Sequence, residues 1–206
     1  DIARRQIAAG AVGQCCAKIG EAEALAAAGI GGLLLTSPVV AAPGIARLTA
    51  LNLASDGLIT TVDDPANVRA IGAAVAAAGD RPLSVAIDLD PGHHRTGVAT
   101  PEAAVALLEA ILAQPALRYV GVQFYCGPQQ HIEAFADRSA AMEERAGRLA
   151  GFIAALTAAG GAPDLVTGGG TGTHRIDAAL GLFTELQAGS YIFMDDQYRA
   201  CDLTGE

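Results

Sequence analysis

Residues 57–89 read GLITTVDDPANVRAIGAAVAAAGDRPLSVAIDL, and this stretch decides the fold. The runs Gly57–Val62 and Leu83–Leu89 are short and apolar, as strands are, whereas Pro65–Ala78 between them has the length and period of a helix. Two strands joined through a helix run parallel, because the crossover returns the chain to the end of the sheet from which it started. The stretch therefore predicts one strand–helix–strand unit of a parallel sheet.

The same alternation continues on both sides of this unit. An α/β chain of this kind forms either an open doubly wound sheet or a closed (β/α)₈ barrel. One helix precedes the first of seven predicted strands, which favours a barrel whose first strand precedes Asp1. The other strands are predicted at Ala11–Ala17, Gly32–Thr36, Leu117–Tyr125, Asp164–Thr167 and Ser190–Met194, and the other helices at Ile2–Ala9, Glu21–Ala28, Pro43–Ala54, Pro101–Ala113, His131–Ala159 and Ala178–Leu186.

Composition narrows the possible function classes. The 206 residues carry 13 basic and 22 acidic side chains, which argues against nucleic-acid binding because that surface needs clustered Lys and Arg. No apolar run reaches the roughly 18 residues of a membrane span, so we expect no membrane partner. The four cysteines lack metal or disulfide spacing, which indicates reduced thiols in a cytoplasmic protein. The length predicts a single domain over residues 1–206.

A glycine-rich loop follows the sixth predicted strand. Its sequence, Thr167-Gly168-Gly169-Gly170-Thr171-Gly172-Thr173, fits neither the Walker loop nor the GxGxxG pattern. Glycine N–H groups and threonine hydroxyls can surround a phosphate, and barrels commonly hold one between the loops near their last two strands. The second loop here is Gln187-Ala188-Gly189-Ser190-Tyr191. The alternative is a flexible glycine turn without a ligand.

Two further motifs place polar side chains at the ends of strands. In Asp88–Gly97, two histidines and Arg95 stand beside carboxylates, a set that could move protons, hold an oxyanion or bind a metal. Metal binding is the weaker of these functions, because adjacent histidine side chains rarely converge on one ion. The alternative to all of them is that the histidines lie on the surface beside a structural Arg–Asp pair. Alternation puts Gln123 and Tyr125 on one face of a strand, where they either hydrogen-bond a planar ligand or belong to a half-buried core.

Six motifs, spread over nearly the whole chain, give it a family resemblance. They are QIAAGAVG (6–13), CCAKIGEAE (15–23), GHHRTG (92–97), GVQFY (121–125), TGGGTGT (167–173) and ELQAGSYIFMD (185–195). With these motifs the chain resembles the D-threonine aldolase and D-serine dehydratase-like family, pyridoxal-phosphate enzymes of the alanine racemase fold. Within that family, the Cys-Cys motif and Gln130-His131 are most similar to the branch of D-threonine aldolases and 3-hydroxy-D-aspartate aldolases.

The resemblance implies roles for particular residues. Arg95 would face the phenolic oxygen of the cofactor, and Gln123 or Tyr125 would border its ring. The residues expected around the phosphate and the rest of the cofactor are Thr167, Gly170, Thr171, Gly189, Ser190 and Tyr191. The family's Schiff-base lysine lies on the first barrel strand, so we expect it upstream of Asp1. Lys18, the only lysine of this chain, does not match that position.

The implied function is that of a lyase with pyridoxal 5'-phosphate as its cofactor. It would cleave a β-hydroxy-D-amino acid, such as D-threonine or 3-hydroxy-D-aspartate, to glycine and an aldehyde. The family's divalent metal (Mn, Mg or Zn) belongs to a C-terminal β-domain absent from these 206 residues, so we expect no metal site here and no activity from this stretch alone. A homodimer is expected for the full-length protein. The alternatives are a D-serine or 3-hydroxyaspartate dehydratase, a non-catalytic pyridoxal-phosphate-binding barrel, and a scaffold that binds a phosphorylated metabolite without chemistry.

Overall fold

Strands and helices alternate along the computed structural model, which describes residues 1–205. The strands are β1 Gln14–Cys16, β2 Leu33–Leu35, β3 Ile59–Val62, β4 Leu83–Asp88, β5 Leu117–Phe124, β6 Leu165–Gly168 and β7 Glu185–Leu186. The α-helices are α1 Ile2–Ala8, α2 Ile19–Ala27, α3 Ala42–Ala54, α4 Pro65–Ala78, α5 Pro101–Leu112, α6 Phe135–Ala158, α7 His174–Leu180 and α8 Asp196–Ala200. Two 3₁₀ helices lie at Pro128–His131 and Ser190–Ile192.

The sheet has seven strands that follow one another in chain order. The chain divides into two compact units. The first consists of Asp1–Ile87 with Ala106–Val120, and the second of Asp88–Val105 with the chain from Gly121 on. The paired strands within each unit are parallel, as the helical crossovers require.

Strands β2 and β4 have no exposed face. Every residue of β2 and β4 is buried, the pattern of a parallel sheet whose two faces are both covered. Helix α4 begins after Asp64, whose carboxylate accepts hydrogen bonds from the N–H groups of Ala66 and Asn67. Pro65 occupies the first helical position, where a missing N–H costs nothing.

The second unit is built around the ends of β5, β6 and β7. In register, Gln123 pairs with Thr167, and Thr167 pairs with Glu185 on the other side. Gly121, at φ +149°, allows β5 to pass β6 closely, since a Cβ atom there would lie 1.9 Å from the Leu165 carbonyl oxygen. The carboxyl ends of these strands are where parallel α/β folds bind ligands.

The structure corrects two of the predicted elements. The predicted strand Ser190–Met194 is wrong: residues 190–192 form a 3₁₀ helix, and the Tyr191 N–H donates to the Thr171 hydroxyl instead of a strand ladder. The predicted helix Ala178–Leu186 is also misplaced. Helix α7 ends before Gly181, which adopts the left-handed conformation, and β7 lies within the remainder of that stretch.

Elsewhere the predicted and observed elements agree closely. Helix α4 has the predicted bounds, and the other strands and helices differ at their ends by up to three residues, apart from α6. Helix α6 begins at Phe135 because a separate 3₁₀ turn occupies Pro128–His131. Helix α8 was not predicted. Among residues 1–205, no helix is both long and apolar enough to cross a bilayer.

Candidate functional site

The loop after β4 is organised by Asp90. One of its carboxylate oxygens accepts hydrogen bonds from the N–H groups of Gly92, His93 and His94, at 2.8, 3.0 and 3.1 Å. The other oxygen lies 2.7 Å from Nδ1 of His94. Burial alone would raise the pKa of Asp90, but these hydrogen bonds hold it below its ordinary value. Asp90 therefore stays ionised and holds the backbone of the loop in place.

The same loop presents Arg95. Its guanidinium carbon lies 5.8 Å from the centre of the Tyr125 ring, a cation–π contact. The side chain is exposed, and within residues 1–205 it has no hydrogen bond or ion pair. Beside it, burial and the positive charge of Arg95 lower the pKa of His93, which favours the neutral imidazole. The structure thus brings Arg95 and Tyr125 together and leaves a guanidinium available for an anion.

A buried chain of hydrogen bonds runs across the ends of four strands. Nε2 of Gln123 donates to Oδ1 of Asp88 at 2.8 Å. Nε2 of Gln187 donates both to Oε1 of Gln123 at 3.2 Å and to the Thr167 hydroxyl at 3.0 Å. Gln123 and Thr167 are fully buried, and Asp88 is nearly so. Two predicted cofactor-binding residues, Gln123 and Thr167, are therefore linked through Gln187, which was not predicted individually.

The glycine-rich loop is buried and held by side chains. The Gly172 N–H donates to Oε1 of Gln130 at 2.9 Å, and Nε2 of Gln130 donates to the Thr173 hydroxyl at 2.7 Å. The Thr173 hydroxyl in turn donates to Asp177 at 2.5 Å, and the Gly170 N–H is also hydrogen-bonded to that carboxyl. Both of these loop amides therefore have partners within the protein. That Gly170 contacts a cofactor stays a prediction.

The open hydrogen-bond donors lie where Thr171 meets the segment Gly189–Tyr191. The Thr171 hydroxyl accepts a hydrogen bond from the Tyr191 N–H at 3.0 Å, which leaves its own hydrogen free to donate. Gly189 and Ser190 are exposed, and a Cβ atom at Gly189 would meet nothing within 4 Å. No residue of the described chain accepts a hydrogen bond from the N–H groups of these two residues. These donors fit an anionic ester such as a phosphate.

Asp177 is a second residue of the site that was not predicted from the sequence. It lies in the first turn of α7, four residues after Thr173, and is fully buried. Burial raises the pKa of its carboxyl to about 6. The available sequence signal was an acidic residue one helical turn after the last threonine of the loop.

Replacing Asp177 by asparagine should stabilise the full-length protein at neutral pH. Because the pKa of Asp177 is about 6 in the folded state, the folded state binds more protons than the unfolded state between about pH 4 and 6. The free energy of unfolding of the wild-type protein therefore decreases as the pH rises through this range. We expect Asp177→Asn to gain about 2–3 kcal/mol at pH 8 and almost nothing below about pH 4. Urea unfolding at several pH values measures this, and equal stability of the two proteins at pH 8 would contradict it.

From the sequence we expect neither a Schiff-base role for Lys18, nor a metal site, nor a disulfide among the four cysteines. Lys18 is exposed and begins α2 in the first unit, where Glu21 accepts hydrogen bonds from the Lys18 and Ala17 N–H groups. Residues 1–205 contain no group of three or more His, Cys, Asp or Glu side chains placed to hold a metal ion. The four cysteines are free, and burial raises the pKa of Cys16 to about 11 and of Cys126 to about 12, so neither is a thiolate at neutral pH.

Comparison with known proteins identifies similar sequences and structures. Residues 1–197 match the family model described as alanine racemase, N-terminal domain. The chain is 39% identical over 189 residues to a 3-hydroxy-D-aspartate aldolase of Paracoccus denitrificans (strain Pd 1222), covering 92% of this chain and 49% of that protein. It is 36% identical over 205 residues to a D-threonine aldolase of Arthrobacter sp, and the match covers 100% of this chain and 54% of that protein.

A solved structure shows the same likeness in three dimensions. The crystal structure of D-threonine aldolase from Filomicrobium marinum superposes with a TM-score of 0.93 at 37% identity, over 97% of this chain and 54% of that one. The chain therefore spans about half the length of the relatives it matches.

Proposed function

The chain belongs to the alanine racemase N-terminal domain family, and from this premise we propose that it is the cofactor-binding part of a pyridoxal-phosphate-dependent lyase. Membership confirms the predicted fold class, an α/β barrel of the alanine racemase N-terminal kind. The reaction that fits best is cleavage of a β-hydroxy-D-amino acid, such as D-threonine or 3-hydroxy-D-aspartate, to glycine and an aldehyde. The relatives that match over nearly the whole chain bear the names of such aldolases.

The observation that carries the cofactor proposal is the set of open donors at Thr171, Gly189 and Ser190. A phosphate ester needs several donors at one place, and the Thr171 hydroxyl and the Gly189 and Ser190 N–H groups meet this need. Arg95, without an anionic partner among residues 1–205, would hold the phenolic oxygen. Tyr125, in contact with Arg95, would border the ring together with Gln123.

Each part of this chain would act by binding and orientation. When bound, the cofactor supplies a conjugated ring that accepts the electron pair left on the α-carbon as the Cα–Cβ bond breaks. The Arg95 guanidinium would favour the ionised phenolic oxygen, and the buried polar side chains at the ends of β4 to β6 would fix the position of the ring. The Schiff-base lysine would precede Asp1, and a divalent metal that would assist removal of the β-hydroxyl proton would bind outside these residues.

The remaining features of the full protein are proposals of the same kind. We expect a small-molecule substrate, a homodimer and a cytoplasmic location. Dehydration of D-serine or 3-hydroxyaspartate uses the same cofactor but breaks a different bond, and measuring glycine and aldehyde against α-keto acid separates the two reactions. A non-catalytic cofactor-binding barrel would release neither product.

Cofactor binding by the full-length protein tests the proposal. Added pyridoxal phosphate should give the visible absorbance band of the protein-bound cofactor. We expect Thr171→Val to weaken binding about 10- to 100-fold, because it removes a hydroxyl that accepts a hydrogen bond from the Tyr191 N–H and keeps its own hydrogen for the cofactor. Thr171→Ser keeps the hydroxyl and is the matched control. No band in the wild-type protein would refute the proposed function, and unchanged affinity in Thr171→Val would remove Thr171 from the site.

A further inference from the structure

In the buried chain of hydrogen bonds from Asp88 to Thr167, each residue determines which atom of the next residue faces it. A carboxylate only accepts hydrogen bonds, so Asp88 requires Gln123 to point its amide nitrogen toward it. The Gln123 oxygen then faces Gln187 and requires a donor there, which the Gln187 amide nitrogen supplies. The same nitrogen also reaches Thr167. The acidic group at one end therefore sets the orientation of both amides.

The orientation of the Gln187 amide determines what the Thr167 hydroxyl can do. Because Gln187 donates to its oxygen, the Thr167 hydroxyl keeps its own hydrogen to give away. This hydroxyl is fully buried, and no residue of the described part of the chain accepts a hydrogen bond from it. A buried donor without an acceptor costs free energy, so a residue held in this state is suited to a ligand atom that accepts.

We propose that Asp88 and Gln187 are positioning residues that hold Thr167 as a hydrogen-bond donor toward an acceptor atom of the bound cofactor. This inference rests on the proposed function, which supplies the cofactor. Asp88 and Gln187 act through Thr167. Their role is to set which way the hydroxyl hydrogen points, and a side chain of the same size but opposite hydrogen-bonding character would reverse it.

Gln187→Glu is the decisive variant in the full-length protein. The glutamate carboxylate accepts the Thr167 hydrogen, so the hydroxyl is no longer available to a ligand. We expect the dissociation constant for pyridoxal phosphate to rise about 10- to 100-fold, and to rise by a similar factor in Thr167→Val. Thr167→Ser keeps the hydroxyl and should bind the cofactor more tightly than Thr167→Val does. Gln197→Glu, the same chemical change on exposed α8, is the matched control and should change nothing.

A double variant separates positioning from a general loss of structure. If Gln187 acts through Thr167, then Thr167→Val/Gln187→Glu should bind no more weakly than Thr167→Val alone, whereas independent structural damage would add. Asp88→Asn frees the amide orientation and should shift the pH dependence of the bound cofactor's absorbance as well as weaken binding. Asp88→Asn carries the test if Gln187→Glu does not fold, as judged by thermal unfolding.

The outcomes distinguish this inference from the proposed function. If the wild-type protein binds no pyridoxal phosphate, the proposed function is wrong and the positioning role is wrong with it. If the wild-type protein binds but Gln187→Glu and Asp88→Asn bind equally well with the same spectrum, only the positioning role is overturned. Additive losses in the double variant also overturn it.

Discussion

Replacing Arg95 by leucine is expected to lower kcat of the full-length protein about 10²- to 10³-fold, the loss typical of removing one group that stabilises charge in the transition state. Arg95 is exposed and has no ion pair or hydrogen bond within residues 1–205, and its contact in the structure is with the Tyr125 ring. The substitution therefore removes a charge that we propose meets the cofactor, and it should leave the fold unaffected.

The control for Arg95 is lysine. Arg95→Lys keeps the positive charge but loses the planar fork, so we expect partial activity, between those of the wild type and Arg95→Leu. Steady-state kinetics with D-threonine and with 3-hydroxy-D-aspartate give kcat, and thermal unfolding checks that stability is unchanged. Wild-type kcat in Arg95→Leu would show that the guanidinium takes no part in the reaction.

Replacing Gly172 by alanine is expected to cost about 3 kcal/mol of unfolding free energy, or to prevent folding of the loop. A Cβ atom there would lie 2.1 Å from the backbone oxygen of Gln130 and 3.0 Å from its Cα atom. Backbone atoms cannot rotate away as a side chain can. Moving them would also break the hydrogen bond from the Gly172 N–H to the Gln130 side chain.

Gly189→Ala is the matched control for Gly172→Ala. Gly189 lies in the segment Gly189–Tyr191, which contacts the glycine-rich loop at Thr171. A Cβ atom there meets nothing within 4 Å, so Gly189→Ala should leave stability within about 0.5 kcal/mol of the wild type. The added methyl group does occupy the open space next to the expected phosphate, so its effect should appear in cofactor affinity. Urea unfolding and cofactor titration of both variants measure the contrast. Equal stability of Gly172→Ala and the wild type would contradict the observed packing.

Only part of the role of the glycine-rich loop could be predicted from its sequence. Its position after β6 and its proximity to Tyr191 were predictable, because the loop follows a strand end and the alanine racemase resemblance covers both segments. The reason why the loop contains so many glycines could not be predicted. Gly168, Gly170 and Gly172 have protein atoms where a Cβ atom would lie, so close packing against the protein itself, and not an anion, accounts for them.

Local signals in the sequence determined the regular elements. Helix α4 has its predicted bounds because Asp64, Pro65 and Gly79 mark its ends through caps and backbone geometry, which neighbouring residues alone set. The alternation of strands and helices likewise determined the parallel sheet. The resemblance then indicated Arg95 and Thr171 as residues for a phosphorylated cofactor.

Only the tertiary structure decided the short last strand and the contacts of the site. Strand β7 has two residues, too few for any period, and it forms because β6 lies beside it. Gln187 lies 64 residues from Gln123 and 20 from Thr167, and Gln130 lies 43 from Thr173. Hydrogen bonds across such separations depend on how the strand ends meet in space, and no local pattern in the sequence encodes that.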